Sequence, residues 1–244
     1  MDKILSYEEM NRQADILEAI YTCHNIVTQY AFEHSNACEE SRFFDRKWSK
    51  GEHVTHVMPW GVTVTREANE YKLSRSDIVY RPEEFPYDVH LTHGGVFYHC
   101  ITTRVIEVAD DLRSCRISYL SPGHETAEER LEDGTTEYGK DWAWSKYGFD
   151  FIWEDGEWRI LNMRVYPVFK CQKDAAWTDT PALELRHLQR RPGMLPGPAL
   201  FQYTPQVVVP ADEPEPPLPY KDLESTGKTE IGVGYAAVEL KEVF

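Results

Sequence analysis

The chain has 244 residues, of which 41% are hydrophobic and 27% charged, an ordinary globular usage that excludes collagen-like and wholly disordered classes. Its 26 Lys and Arg stand against 41 Asp and Glu, a net charge of −15 that repels phosphate backbones and anionic lipid alike, so neither nucleic acid nor a membrane is an expected partner. No run approaches the ~18 apolar residues of a spanning helix. The opening Met1–Ser6 lacks a charged-then-apolar leader, so a cytoplasmic location is expected. Five cysteines, Cys23, Cys38, Cys100, Cys115 and Cys171, are odd in number and never paired as CxxC, which points to reduced thiols used mainly as small buried fillers.

Ser6 followed by Glu9 is a capping-box pattern. It opens a stretch in which Met10, Leu17, Ile20, Val27 and Ala31 recur at helical spacing, predicting one long helix, or two joined ones, to about Asn36. From Cys38 to Gly51 the pattern is charged and irregular. The run from His56 to Thr65, HVMPWGVTVT, is rich in β-formers and predicts a short strand interrupted at Pro59. Arg66 to Tyr87 reads as a helix followed by a loop bounded by Pro82 and Pro86. From Gly95 onward four long segments dense in β-branched and aromatic residues, VFYHCITTRVIEV, RSCRISYL, WAWSKYGFDFIW and EWRILNMRVYPVF, read as four strands. Asp110-Asp111 and Glu154-Asp155-Gly156-Glu157 supply turns between them, the Asp-Gly pair being the stronger hairpin signal. Helices first and strands afterwards is the α+β order with a mostly antiparallel sheet. Ten of the fifteen prolines lie from Pro181 onward, so residues 173–244 are expected to form an extended arm packed on the domain or on a neighbouring subunit, with residues 1–172 as the domain proper.

The helix QYAFEHSNACEE, the strand MPWGVTV, and the segments HCITTRVIEV, SPGHET and WSKYGFDFIWEDGEWRILNMRVY together span about residues 6 to 172. In this order they resemble the NTF2-like superfamily, in particular its SnoaL-like branch. The resemblance implies a cone-shaped α+β barrel: helices close over the concave face of a curved sheet, with a pocket at the open end. It also implies a dimer or another small homo-oligomer such as a trimer. The superfamily holds cofactor-free dehydratases, isomerases, cyclases and lyases. It also holds non-catalytic transport and assembly subunits, and fold alone does not choose among them.

Several residues carry candidate chemistry. Tyr30 and His34, at i and i+4, share a helix face with Cys23 and Val27 and are positioned to enter the pocket together. SnoaL-like enzymes often place an acid five residues after such a tyrosine, where this chain has Ser35; the bland alternative is a solvated helix end. His99 interrupts the apolar strand face of Phe97, Ile101 and Thr103, and an imidazole that takes and gives a proton near neutral pH suits a general base or acid. Its alternative is a structural histidine held by a backbone carbonyl. Arg164 shares a face with Asn162 and Tyr166; if that face looks into the mouth, it could balance a developing oxyanion, and otherwise it is an outward salt-bridge residue. Arg104 reaches the face of His99 only if the strand bulges. His124 and Glu125 follow Ser121-Pro122-Gly123 and are read as a loop that could close over a ligand. Asp150 could orient an imidazole or stand on the surface. Trp60, Phe97, Tyr98, Tyr119, Trp142 and Trp144 are the aromatic candidates for the wall of a pocket holding a flat apolar ligand.

The spacings His53/His56 and His90/His93 lack a third ligand at a standard offset, so no metal site is expected, and no phosphate-binding glycine loop or serine-hydrolase motif is present. These readings converge on a cofactor-independent lyase, dehydratase or isomerase that moves protons on an aromatic or polycyclic small molecule, a lignin-derived diaryl compound being one such substrate. Tyr30, His34, His99 and Arg164 would be catalytic; Trp60, Phe97, Tyr98, Arg104, Tyr119, Glu125 and Trp144 would bind substrate. The alternatives are a non-catalytic binding or assembly subunit, whose cone would be filled by side chains, and a metal-dependent oxygen chemistry.

Overall fold

The computed structural model describes residues 4–34, 43, 46–51, 54–58, 61–63, 96–130, 133–179 and 216–226. The N-terminal helix α1 spans Tyr7–His34. It begins where the capping pattern places it: Glu9 donates its backbone N–H to Ser6 Oγ at 3.1 Å, and Ser6 N–H returns a bond to the Glu9 carboxylate at 2.8 Å. Its buried residues are Ala19, Cys23, Ile26, Val27 and Tyr30, none before Ala19. Met10 and Leu17, expected on the apolar stripe, are exposed, because the first half of α1 runs past the sheet; Arg12 there donates to the Asp110 carbonyl at 2.8 Å.

Seven strands follow among the described residues: β1 Thr55–Met58, β2 Gly61–Thr63, β3 Val96–His99, β4 Thr102–Val108, β5 Ser114–Arg130, β6 Thr136–Glu154 and β7 Glu157–Gln172. They form one sheet in the order β2-β1-β7-β6-β5-β3, with β4 also paired to β5. Every pairing is antiparallel except β1 with β7, which is parallel. The single interrupted strand expected over His56–Thr65 is instead two, antiparallel to each other with Met58 opposite Gly61. The expected helix over Arg66–Tyr87 lies outside the described residues.

The centre of the fold is the β5-β6-β7 meander. The β6–β7 hairpin turns at Asp155-Gly156, both with positive φ (51° and 81°), between the paired residues Glu154 and Glu157. That is the two-residue turn whose backbone twist matches the strands. The strands are much longer than their apolar runs. β5 continues through Ser121-Pro122-Gly123-His124-Glu125, which the sequence suggested as a loop, and β6 begins six residues before Trp142. The reason is pairing on both edges: each residue of 121–126 faces a partner on β6, while 123–126 also face β3. Ladder bonds on two sides outweigh the local turn preference of Pro-Gly.

Strands this long cannot stay flat. Bulges between Trp144 and Ser145 and between Asp150 and Phe151 bend β6 against β7, and the sheet curves around α1 without closing. Its concave face supplies Cys115, Ile117, Tyr119, Tyr147, Phe149, Phe151, Ile160, Met163 and Val165, which pack with the buried face of α1, Phe43 and Trp48 into one core. No helix of the described residues is long and apolar enough to cross a membrane. On the other face of the sheet, residues 216–222 of the arm are tied down: Asp110 and Asp111 donate backbone N–H groups to the carbonyls of Tyr220 and Lys221 at 3.0 and 3.1 Å. The Tyr220 hydroxyl donates to Ser114 Oγ at 3.0 Å, with its ring 5.4 Å from the Arg116 guanidinium.

Candidate functional site

Strand alternation decides which candidates meet. On the concave face the pairing rows run Tyr119–Tyr147–Val165 in the middle, and toward the open end of the sheet His99–Gly123–Ala143–Lys170 and Glu125–Asp141. His99 is 7% exposed, and its Nε2 lies 3.2 Å from Glu125 Oε1. Lys170 forms a charged hydrogen bond to the other Glu125 oxygen, and its Nζ is 3.3 Å from Asp141. The result is a continuous polar line, His99–Glu125–Lys170–Asp141, at the rim of an otherwise apolar face. Glu125 is therefore the partner His99 needs. Sequence reading placed Glu125 on a loop and missed Lys170 and Asp141 altogether, since nothing local signals that three strands bring them together.

The electrostatics of this line are set by two opposed effects. Burial works to raise the Glu125 carboxyl, but the hydrogen bonds and charges of His99 and Lys170 outweigh it and bring it down to about 2. Burial likewise works to lower the Lys170 ammonium, and the charges of Glu125 and Asp141 reverse that, so it ends above its ordinary value. Both partners shift in the sense of a mutually stabilised ion pair. A carboxylate so held is an acceptor only, so the Nε2 facing it donates the hydrogen, and Nδ1 is the ring's second nitrogen. That Nδ1 is buried and has no hydrogen-bond partner among the described residues. Gly123 makes the packing possible, because a Cβ there would lie 2.1 Å from the Tyr98 carbonyl and 3.1 Å from His99 Nδ1.

His34 comes from α1 to within 5.0 Å of the His99 ring, centre to centre, and is 6.4 Å from Phe97; Tyr30 stacks under His34 at 5.4 Å. Tyr30, however, is deeply buried against Phe43, Tyr147 and Phe149 rather than lining open space. Tyr119 is buried too, stacked on Tyr147 at 5.1 Å and 7° and on Phe149 at 6.0 Å. The deep interior of the cone is thus filled by aromatic side chains. Open space lies beside it: a cleft of about 600 Å³ between α1 and the β3–β4 segment, lined by His24, Thr28, Ala31 and Phe32 on the helix and by Tyr98 through Arg104 on the strands.

Arg104 reaches this cleft because β4 bulges. Thr102 faces Leu120 but Arg104 faces Tyr119, leaving Thr103 as the extra residue, at φ 46°, a left-handed conformation uncommon for a β-branched side chain. The slip moves Arg104, with Ile106 and Val108 beyond it, onto the concave side. There its Nη1 meets His24 Nε2 across the helix. Burial and the Arg104 charge both lower the His24 pKa, so His24 is a neutral acceptor.

Other candidates stand elsewhere. Arg164 lies opposite Gly148 on the face turned away from α1, since its neighbours Met163 and Val165 point into the core; it bonds the Tyr166 hydroxyl at 3.2 Å. Asp150 is on that same outer face, buried between Arg116 at 3.2 Å and Asn162 at 2.9 Å, and meets no imidazole among the described residues. Tyr98 borders the cleft, yet its ring turns outward to His124 at 5.2 Å, which in turn meets the exposed Trp142. Trp144 stacks on Phe169 on the outer face. Alternation from His99 and Tyr147 makes these placements unavoidable. Trp60, His53, His90 and His93 lie outside the described residues, and His56 is buried against Trp48.

A helix laid across the concave face of a long, curved, mostly antiparallel sheet is the arrangement the sequence resemblance called for. The fold is α+β, one helix laid on an open, curved sheet. No family profile matches the chain, and no curated protein matches it. Similar solved structures include a provisionally named scytalone dehydratase from Novosphingobium aromaticivorans, 8% identical over 66% of this chain and 91% of that one, at a TM-score of 0.46. An NTF2-like protein with a cystatin-like fold from the same organism is 12% identical over 71% and 94%, at 0.41. The association domain of the C. elegans kinase CaMKII is 9% identical over 61% and 95%, at 0.36. Likeness this remote carries no activity across, and enzyme and assembly domain stand side by side among the matches.

Proposed function

We propose that the chain is an acid–base enzyme, a lyase, dehydratase or isomerase, whose own side chains move a proton on a small organic molecule held in the cleft between α1 and β3–β4. The observation that carries this reading is His99: it lines the cleft, its Nε2 lies against Glu125, and its buried Nδ1 has no hydrogen-bond partner among the described residues. In the reaction Nδ1 takes a proton from carbon next to a carbonyl group or from a hydroxyl. The Glu125 carboxylate stabilises the imidazolium formed, and the proton returns to a leaving oxygen or to a second carbon. His34 beside it is the second proton-bearing group. Tyr30 holds the His34 ring by stacking and does not touch substrate. Arg164 and Trp144, on the far face, take no part. With the Tyr98 ring turned outward, Phe32 is the aromatic ring left to the cleft among the described lining residues, which supports one aromatic ring in a substrate rather than a polycycle clasped between aromatic walls.

The test uses deuterium oxide and a panel of aryl ketones and aryl hydroxy acids, following exchange of the acidic C–H or loss of water by NMR. His99→Asn and Glu125→Gln are expected to lower the rate by about 10²- to 10⁴-fold while leaving the thermal midpoint of His99→Asn within a few degrees of the parent. A substrate turned over equally by parent and His99→Asn would reject the role of His99. A second reading, a non-catalytic assembly subunit, is favoured by the side-chain filling of the deep cone through Tyr30, Tyr119, Tyr147 and Phe149. It predicts no exchange with any panel compound.

A further inference from the structure

We propose that the Arg104 end of the cleft is an anion subsite, so that the molecule bound there carries a carboxylate remote from the atom on which His99 acts. This rests on the acid–base reading only for its second half; the subsite itself stands on the cleft.

Among the eleven lining residues there is no aspartate or glutamate, in a chain whose net charge is −15, and Arg104 is the one guanidinium. A lining whose described residues include no carboxylate, and into which a bulge turns an arginine, is suited to an incoming negative group. The bulge is costly. Thr103 adopts the left-handed region, an unfavourable one for a β-branched residue. Without it, regular alternation would point Arg104 to the outer face. Among the described residues Arg104 meets His24 alone, a neutral acceptor that positions the guanidinium without cancelling its charge. Burial and the Arg104 charge both hold that imidazole's pKa below its ordinary value, so the contact leaves the guanidinium its positive charge. Thr28 and Thr102 also border the cleft, their hydroxyls donating to the His24 and Leu120 carbonyls at 3.0 Å each.

A guanidinium edge offers two parallel N–H donors, the geometry that matches a carboxylate better than an ammonium would. The β5 partners of Arg104 and His99, Tyr119 and Gly123, are four residues apart, roughly 13 Å at 3.3 Å per residue. One small ligand with its acid group at one end and its reacting carbon at the other spans that distance together with the two side chains. A charge contact so far from the reacting atoms holds ground state and transition state equally, so it acts on KM and not on kcat.

The probe is 2-naphthoate against its neutral isostere 2-naphthamide, with binding followed by probe fluorescence at low and high salt. The parent protein is expected to bind the acid at least tenfold more tightly than the amide, with the preference shrinking as salt rises. Arg104→Gln should reduce naphthoate to the level of the amide, Arg104→Lys should restore part of the preference, and His99→Asn should leave it intact. Equal affinity of the parent for acid and amide, or an acid preference that survives Arg104→Gln, overturns the subsite. Because His99→Asn abolishes proton transfer but not anion preference, the two readings fail separately: a lost preference with intact exchange removes only the subsite, and absent exchange with intact preference removes only the catalysis.

Discussion

At the level of single residues, the state of Glu125 governs the site. Its carboxyl sits at about 2 in the folded protein against an ordinary 4.5. A depressed folded value contributes stability that is fully present above about pH 4.5 and is lost as the pH falls toward 2. Glu125→Gln is therefore expected to cost about 2 kcal/mol at neutral pH, a discount on the full shift because the side chain is partly exposed. It should also flatten the acid limb of stability against pH. Urea midpoints at pH 7, 4.5 and 3 measure it, and an acid limb equally steep in the variant would refute the pairing. Lys170 belongs to the same balance as a positioning residue: its charge keeps the Glu125 carboxylate ionised, which fixes the His99 tautomer. Sequence reading found His99 as a titratable group needing a partner and could not supply that partner, because hydrogen-bond reach across β3, β5 and β7 has no counterpart in local pattern.

Among the elements, β5 does most to place the site, since its outer half pairs with β3 on one side and β6 on the other. Gly123 is the tightest point of that pairing. Gly123→Ala would drive a Cβ to 2.1 Å from the Tyr98 carbonyl, and because that atom is backbone the strands must part. We expect a loss of about 3 kcal/mol, at the upper end for overpacking, together with loss of any His99-dependent activity. Gly51→Ala, where the nearest atom is Ser49 Oγ at 3.4 Å, is the matched control and should be near neutral. Equal stability of the two variants by chemical denaturation would show that β3 is not held as described. The Asp155-Gly156 hairpin and the Ser6/Glu9 cap were both legible, because each is a contract between residues two or three apart. The bulge at Thr103 was legible only as a condition. A threonine is a poor residue for a left-handed position, so its sequence advertises the opposite of what the sheet imposes.

Across the whole molecule, the described part of the arm ties the outer face of the sheet to the β4–β5 turn. Tyr220 links the two through its hydroxyl bond to Ser114, its ring against Arg116, and its carbonyl bond from Asp110. Burial raises the Tyr220 hydroxyl above its ordinary value, so it remains a neutral donor at working pH. Tyr220→Ala should cost about 1–2 kcal/mol, a hydrogen bond plus a cation–π contact, and expose the buried Arg116–Asp150–Asn162 cluster beneath. Unchanged denaturation midpoints would mean that the arm leaves this face in solution. Proline density marked the arm as irregular, but which surface receives it depends on Ser114 and Arg116, a hundred residues away in the chain.

The sequence by itself determined the class and the periodicities: a capped helix first, long β-rich segments after it, an acidic surface, and His99 as a proton-bearing group set in an apolar strand. These follow from short-range chemistry, where caps, turns and alternation act within a few residues. The tertiary structure alone decided that Glu125 and Lys170 complete His99, that Arg104 faces inward while Arg164 and Trp144 face away, and that Tyr30 and Tyr119 fill the cone instead of lining it. Register is the physical reason. A slip of one residue exchanges the two faces of a strand, and where a bulge falls is settled by cross-strand ladder bonds and by packing against α1.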